Sequence, residues 1–216
     1  MGMEKNMHAI FFLLLPMLIF YSLFIIEFLN GNSYSQFPNS EIEKSIMNNN
    51  EEDIKWSNYT DKKENYSTVY PNEWKVIKGE NNDNNQNDSI TIFRSPKENS
   101  NDTFQDNIVI SIIKSENSST SDNNDFQMQP IIEKLEMRNK DFKLENFTVI
   151  NIGNKQTGKS IKYGFNSMGI NFKTEQIFSI MDNKTYIFSL LAEQKTFEKH
   201  SQIFNNMLKN IVLNNN

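Results

Sequence analysis

The sequence predicts an α+β fold, a three-layer α/β/α sandwich with a central antiparallel sheet, and three observations carry that expectation. The run Ile108-Val109-Ile110-Ser111-Ile112-Ile113 is apolar at both alternating positions, as a strand covered on both faces must be. Four later strands follow one another through links so short that neighbours have to pair antiparallel. Two further segments, one after Pro130 and one from about Thr196 to Ile211, place apolar side chains at helical spacing.

The amino-terminal part is of another kind. From Ala9 to Ile26 there is no charged residue, a length at helical rise that approaches a hydrocarbon core of ~30 Å. Lys5 and His8 precede the run, Glu27 follows it, and no further Lys or Arg occurs before Lys44, a flank pattern that leaves the amino end inside. Residues 1–29 are therefore expected to be a signal peptide or an N-terminal transmembrane anchor, meeting the membrane through residues 9–29. Length favours retention. Ser33-Tyr34-Ser35 before Gln36 offers a cleavage site, Pro16 interrupts the run, and a buried soluble helix is the remaining alternative.

Residues 30–64 read as a disordered Asn-rich tether, poor in apolar positions apart from a capping-box pattern at Ser40-Glu41-Ile42-Glu43. Residues 65–214 are the folded domain. Tyr66 to Tyr70 alternates as a strand, Pro71 turns the chain, and Trp74-Lys75-Val76-Ile77 continues. After a polar loop at 79–88, Ile90 to Phe93 is a strand that stops at Ser95-Pro96. The loop from Lys97 to Asp106 leads into the fully apolar strand, and a third polar loop runs from Ser115 to Asp125.

Pro130 suits the first turn of a helix, whose stripe is Met128, Ile131, Ile132, Leu135 and Phe142, with an end near Lys140. The four-strand meander is expected at Phe147–Ile152, Lys159–Phe165, Ile170–Met181 and Thr185–Ala192. Gly153-Asn154, Ser167-Met168-Gly169 and Asp182-Asn183 supply the turns. In the last helix Phe197, His200, Phe204, Met207, Leu208 and Ile211 share one face.

Composition closes off several kinds of chemistry. There is no cysteine, so disulfides, thiolate metal sites and cysteine nucleophiles are absent. A net charge of −5 without any basic cluster argues against nucleic acid or anionic lipid headgroups as partners. His200 is the one histidine beyond the leader and reads as a partly buried packing residue on the apolar stripe. No nucleophile-elbow sequence accompanies it. Asp83, Asp88, Asp102, Asp106, Asp122 and Asp125 concentrate in the polar loops; solvated carboxylates are the plainer reading and weak calcium binding the alternative, because the EF-hand spacing is missing. Glycine-rich phosphate loops are absent. The aromatics Phe126, Phe142, Phe147, Phe165, Phe172, Phe178, Phe188, Phe197 and Phe204 fall in or beside periodic elements and read as core. Trp74 suits either a buried anchor or a partner surface.

The order of certain short motifs resembles the PsbP-like domain. Tyr70-Pro71-Asn72-Glu73-Trp74-Lys75-Val76 is similar to that family's opening, and Phe93-Arg94-Ser95-Pro96 to its next strand end. Asn107 to Ile112 follows in the family's order, as does the close from Tyr186 to Leu190 through Phe197, Phe204 and Ile211. The resemblance implies an α/β/α sandwich and a non-enzymatic role, since the family's best-known members are extrinsic subunits on the lumenal side of photosystem II. It covers roughly Tyr66 to Leu213.

Together these readings lead to a non-catalytic extracytoplasmic binding module, membrane-anchored or secreted, that contacts a protein partner or a small ligand and needs no cofactor. A structural or assembly factor of a membrane complex, with weak calcium binding, is the alternative. Asparagine is abundant, and N-x-S/T sequons occur at Asn58, Asn65, Asn87, Asn101, Asn117, Asn146 and Asn183, so glycosylation is expected if the compartment supports it.

Overall fold

The computed structural model describes residues 54–79, 88–100, 102, 104–114, 128–153, 156–181 and 184–214. Residues 9–29 lie outside them; among the described residues no helix is long and apolar enough to cross a membrane. The compact unit spans Lys55–Asn216.

Among the described residues ten strands and two helices follow in the order β1 (Trp56–Asp61), β2 (Tyr66–Pro71), β3 (Lys75–Gly79), β4 (Asp88–Arg94), β5 (Asn107–Lys114), α1 (Gln129–Arg138), β6 (Lys143–Ile152), β7 (Gln156–Ser167), β8 (Ile170–Met181), β9 (Lys184–Glu193), α2 (Phe197–Lys209) and β10 (Val212–Leu213). They build an α+β fold with two antiparallel sheets rather than one. The larger has the order β3-β4-β5-β9-β8-β7-β6, so the expected meander occupies one half of it in chain order. The smaller is β1-β2-β10.

The second sheet corrects two expectations. Residues 56–61 had been assigned to the tether, yet β1 pairs along its whole length with β2. Its pattern hid the strand: the positions turned away from solvent are Ser57, Tyr59 and Asp61, mostly polar. Asp61 is buried because its Oδ1 accepts the backbone N–H groups of Lys63 (2.9 Å) and Glu64 (3.0 Å), and Asn65 completes the turn at φ 61°. The helix stripe had been carried on to Ile211, but the chain turns out of α2 at Asn210 and adds β10 to β2 instead.

Side-chain alternation assigns the two faces of the large sheet. One presents Phe93, Ile108, Ile110, Ile112, Ile177, Tyr186, Phe188 and Leu190 to a core shared with Tyr66 of β2 and with Phe197, Ile203, Phe204, Met207 and Leu208 of α2. The amphipathic stripe of α2 is buried as its spacing predicts, against β9 and β2. The opposite face carries Val109, Ile113, Ile161, Tyr163, Phe172, Phe178, Ile187 and Leu191, all buried. In α1 Met128, at its amino end, is buried with Ile131 and Leu135, and the helix stops two residues before the expected Lys140.

Close approach at the far end of α2 depends on one glycine. Gly153 donates its N–H to Leu208 O at 2.9 Å and adopts φ 55°; a Cβ there would lie 2.5 Å from Ile211 O. The first turn of α2 is tied differently. Lys173 reaches Glu145 (3.0 Å) and Glu198 (3.4 Å), and its ammonium lies 4.9 Å from the Phe197 ring centroid. Desolvation pulls the Lys173 pKa down, but the two carboxylates outweigh it and the group is held above its ordinary value.

Candidate functional site

Three places in the domain concentrate chemistry or exposure. The first surrounds His200. Asp106 closes the Lys97–Asp106 loop just before β5, and that position turns its carboxylate inward beneath the start of α2. There Asp106 Oδ2 meets His200 Nδ1 at 2.7 Å and accepts the Thr196 hydroxyl at 2.5 Å, while Oδ1 accepts the Glu193 N–H at 3.0 Å. The His200 ring stands edge-on to Trp74, centroids 5.3 Å apart. Asp106, His200, Thr196 and Trp74 are all buried.

Two expectations change here. Asp106 is no solvated loop carboxylate, because three donors from another element replace its water. His200 is no mere packing ring on an apolar stripe. With the carboxylate ionised, the imidazole is the donor at Nδ1. Thr196 stands at the amino cap of α2 but makes no capping bond, its hydroxyl being engaged by Asp106. The adjoining cleft, lined by Ser95, Asp102, Phe104, Asp106, Glu193 and Thr196 among others, has about 10 Å³ of space, roughly one water molecule. An apolar cavity under α2, lined by Thr68, Ile110, Phe188 and Met207 among others, is equally small. The His200 cluster ties the Lys97–Asp106 loop, the end of β9 and the start of α2 together.

The second place is the β1–β2 turn. Glu64 is buried with Lys114 Nζ at 3.0 Å and Lys184 Nζ at 3.9 Å, and its Oε2 makes no hydrogen bond. Burial works to raise the Asp61 carboxyl, but the Glu64 amide, Lys78 and the Lys63 amide prevail and hold it below its ordinary value. Tyr66 donates to Thr91 Oγ1 at 2.9 Å, and burial pushes its phenol far above the usual range. Spacing gave no sign of Glu64, because the turn lay in polar sequence read as tether.

Of the remaining loop carboxylates, Asp102 and Asp88 are described. Asp102 accepts the N–H groups of Glu98 (2.9 Å) and Phe104 (3.1 Å) as a turn residue. Asp83, Asp122 and Asp125 lie outside the described residues, and Asp88 opens β4. Among the described residues no three His, Cys, Asp or Glu side chains gather as a metal site.

The third place is the free edge of the large sheet. In β6 the residues from 143 to 149 are exposed, although β7 beside it buries Ile161 and Tyr163. A bulge between Leu144 and Asn146 shifts the register by one residue. Leu144, Phe147 and Val149 therefore oppose Tyr163, Ile161 and Lys159 and share one face, at 42%, 46% and 63% exposure. Phe147 had been expected in the core; it is on the surface, and among the described residues the strand that carries it pairs on one side alone, with β7. A plain period of two would have placed Leu144 and Phe147 on opposite faces, and the bulge undoes that.

Among the seven sequons, Asn58, Asn65 and Asn146 are described. Asn87, Asn101, Asn117 and Asn183 lie outside the described residues.

No protein-family model matches the chain, and no curated protein matches it either. Solved structures do. Cyanobacterial PsbP (CyanoP) from Synechocystis sp. PCC 6803 is similar over 82% of this chain and 98% of its own, with 13% identity and a TM-score of 0.53. PA94 from Pseudomonas aeruginosa, a protein of unknown function, is similar over 74% of this chain and 99% of its own, with 18% identity and a TM-score of 0.51. The chain has a PsbP-like fold. At such identities the likeness concerns the architecture, and function has to be argued from the surface.

Proposed function

We propose that this chain is a non-catalytic binding module working outside the cytoplasm, held there by residues 9–29 or secreted, and that it grips a protein partner through the exposed apolar face of β6. One observation carries the reading: Leu144, Phe147 and Val149 form an aligned apolar row at a sheet edge, beside a strand that buries Tyr163 and Ile161 opposite the first two. Such a row costs solubility and is best understood as a contact surface. Closed cavities favour a protein over a small ligand. The PsbP-like fold is compatible with a domain that recognises partners by shape.

The finer architecture fits the same reading. Burial of Met128, Ile131 and Leu135 in α1 supports a three-layer sandwich in which α1 closes the face opposite α2, leaving the rim at β6 open.

A photo-crosslinking residue in place of Phe147, used in intact cells and followed by mass spectrometry, tests the surface. Recovery of one protein in constant proportion, lost when Val149 is changed to Ser, is the expected result. Crosslinks as abundant from exposed Met168, in the β7–β8 turn, would defeat it.

A further inference from the structure

We infer that Asn58 and Asn146 are glycan acceptors that close two of the domain's strand edges, β1 in the small sheet and β6 in the large one, and that Asn65 is not one. This rests on the extracytoplasmic reading. A glycan donor needs the acceptor amide and the hydroxyl two residues on presented together. In an extended strand, residues i and i+2 point to the same side. Asn58-Tyr59-Thr60 in β1 and Asn146-Phe147-Thr148 in β6 meet that condition, with both the Asn and the Thr exposed in each.

Asn65-Tyr66-Ser67 does not. Asn65 is half-buried at φ 61°, its carbonyl accepts the Asn214 N–H at 3.0 Å, and Tyr66 between the two sequon positions is 1% exposed.

A second observation concerns where the two acceptors sit. β1 ends the small sheet and β6 ends the large one. Free edges are templates for strand addition, ordinarily guarded by lysine or proline. β1 contains neither, and β6 has neither from Asn146 to Ile152. A bulky hydrated sugar at mid-edge does the same work. In β6, Asn146 and Thr148 face the side opposite Phe147 and Val149. The glycan would bar edge pairing and leave the apolar row open to its partner.

The chemistry is a group transfer from a polyprenyl-phosphate-linked oligosaccharide. Asn Nδ2 forms a bond to the anomeric carbon, the carbon–oxygen bond to phosphate breaks, the lipid phosphate leaves with the electron pair, and the amide gives up one proton.

The test is glycopeptide mapping by mass spectrometry on the full chain purified from its own cells, with protease accessibility of a carboxy-terminal tag measured on the intact cells. Glycans on Asn58 and Asn146 with Asn65 bare are expected. Asn58→Gln and Asn146→Gln should each remove one step of gel mobility, and the double variant should shift towards larger species in size-exclusion chromatography. An accessible tag with both asparagines bare, or with Asn65 occupied in their place, overturns this inference alone. A tag sheltered from protease overturns the location and the inference with it.

Discussion

His200 Nδ1 and Asp106 Oδ2 lie 2.7 Å apart across 94 residues of sequence. That one contact joins the end of a surface loop to the first turn of α2, and Trp74 closes over it. Every donor around Asp106 comes from the β9–α2 segment: the Glu193 amide, the Thr196 hydroxyl and the His200 ring. Removing the carboxylate takes the acceptor from the His200 ring and the Glu193 amide and leaves the Thr196 hydroxyl only Glu193 O at 3.1 Å, whereas removing the ring leaves both carboxylate oxygens bonded, to Thr196 and Glu193.

Asp106→Ala is therefore expected to cost about 2–5 kcal/mol, at about 1–3 kcal/mol for each donor left without its acceptor. His200→Phe should cost less, because Thr196 and Glu193 still satisfy the carboxylate. Urea unfolding followed by tryptophan fluorescence separates the two. Equal losses would mean that the imidazole, and not the carboxylate, organises the site.

The Asp61 turn gives the domain a definite response to acid. A carboxyl held below its free value of 3.8 is ionised more readily in the folded chain than in the unfolded one. Its contribution is complete above that value and is lost as pH falls through the lower folded one. Unfolding midpoints should fall on acidification below about pH 4, and less steeply in Asp61→Asn. At neutral pH the variant should be weaker by about 1–2 kcal/mol, since Lys63 and Glu64 lose a charged acceptor. Parallel curves for the two proteins between pH 5 and 2 would remove Asp61 from the acid response.

Two glycines with positive φ permit a cleaner comparison. Gly153 has φ 55° with Ile211 O in its path, and Gly169 has φ 82° with nothing within 4 Å. Both alanine variants pay backbone strain of about 1–3 kcal/mol. Gly153→Ala must also push the chain away from α2 and lose the Leu208 bond. Its melting temperature should drop clearly further than that of Gly169→Ala. Similar drops would show that the β6–β7 turn yields without disturbing the helix end.

How much of this could be read beforehand follows the physics of each signal. β8 was bounded residue for residue at Ile170–Met181, and most of the α2 stripe was named, Ile203 being missed and Ile211 lying past the helix, because strong periodicity reports burial directly. β1 escaped because its inward side chains are Ser57, Tyr59 and Asp61, the last two held by hydrogen bonds that no hydropathy pattern records. His200 was noticed, but its partner Asp106 lies on another element, and only tertiary pairing brings the two together. The exposed row on β6 was invisible for the opposite reason. Phe147 looks like core in any sequence window, yet it lies on the surface, beside a one-residue bulge and on a strand that among the described residues pairs on one side alone.

That row yields the last prediction. Half-exposed strand residues contribute through their cross-strand pairs, about 0.2–1 kcal/mol each. Phe147→Ser and Val149→Ser should accordingly lower the unfolding midpoint only slightly, although both replace large apolar groups. Ile161→Ser, the buried neighbour directly opposite Phe147, should cost several times more, about 3 kcal/mol or above, through lost packing and an unpaired hydroxyl. The contrast matters for function because it separates binding from folding at one spot on the sheet. If Phe147→Ser removes the crosslinked partner while the domain melts as before, the apolar face is used for recognition. If Phe147→Ser unfolds the domain as readily as Ile161→Ser does, the side chain belongs to the core and β6 is not a contact surface.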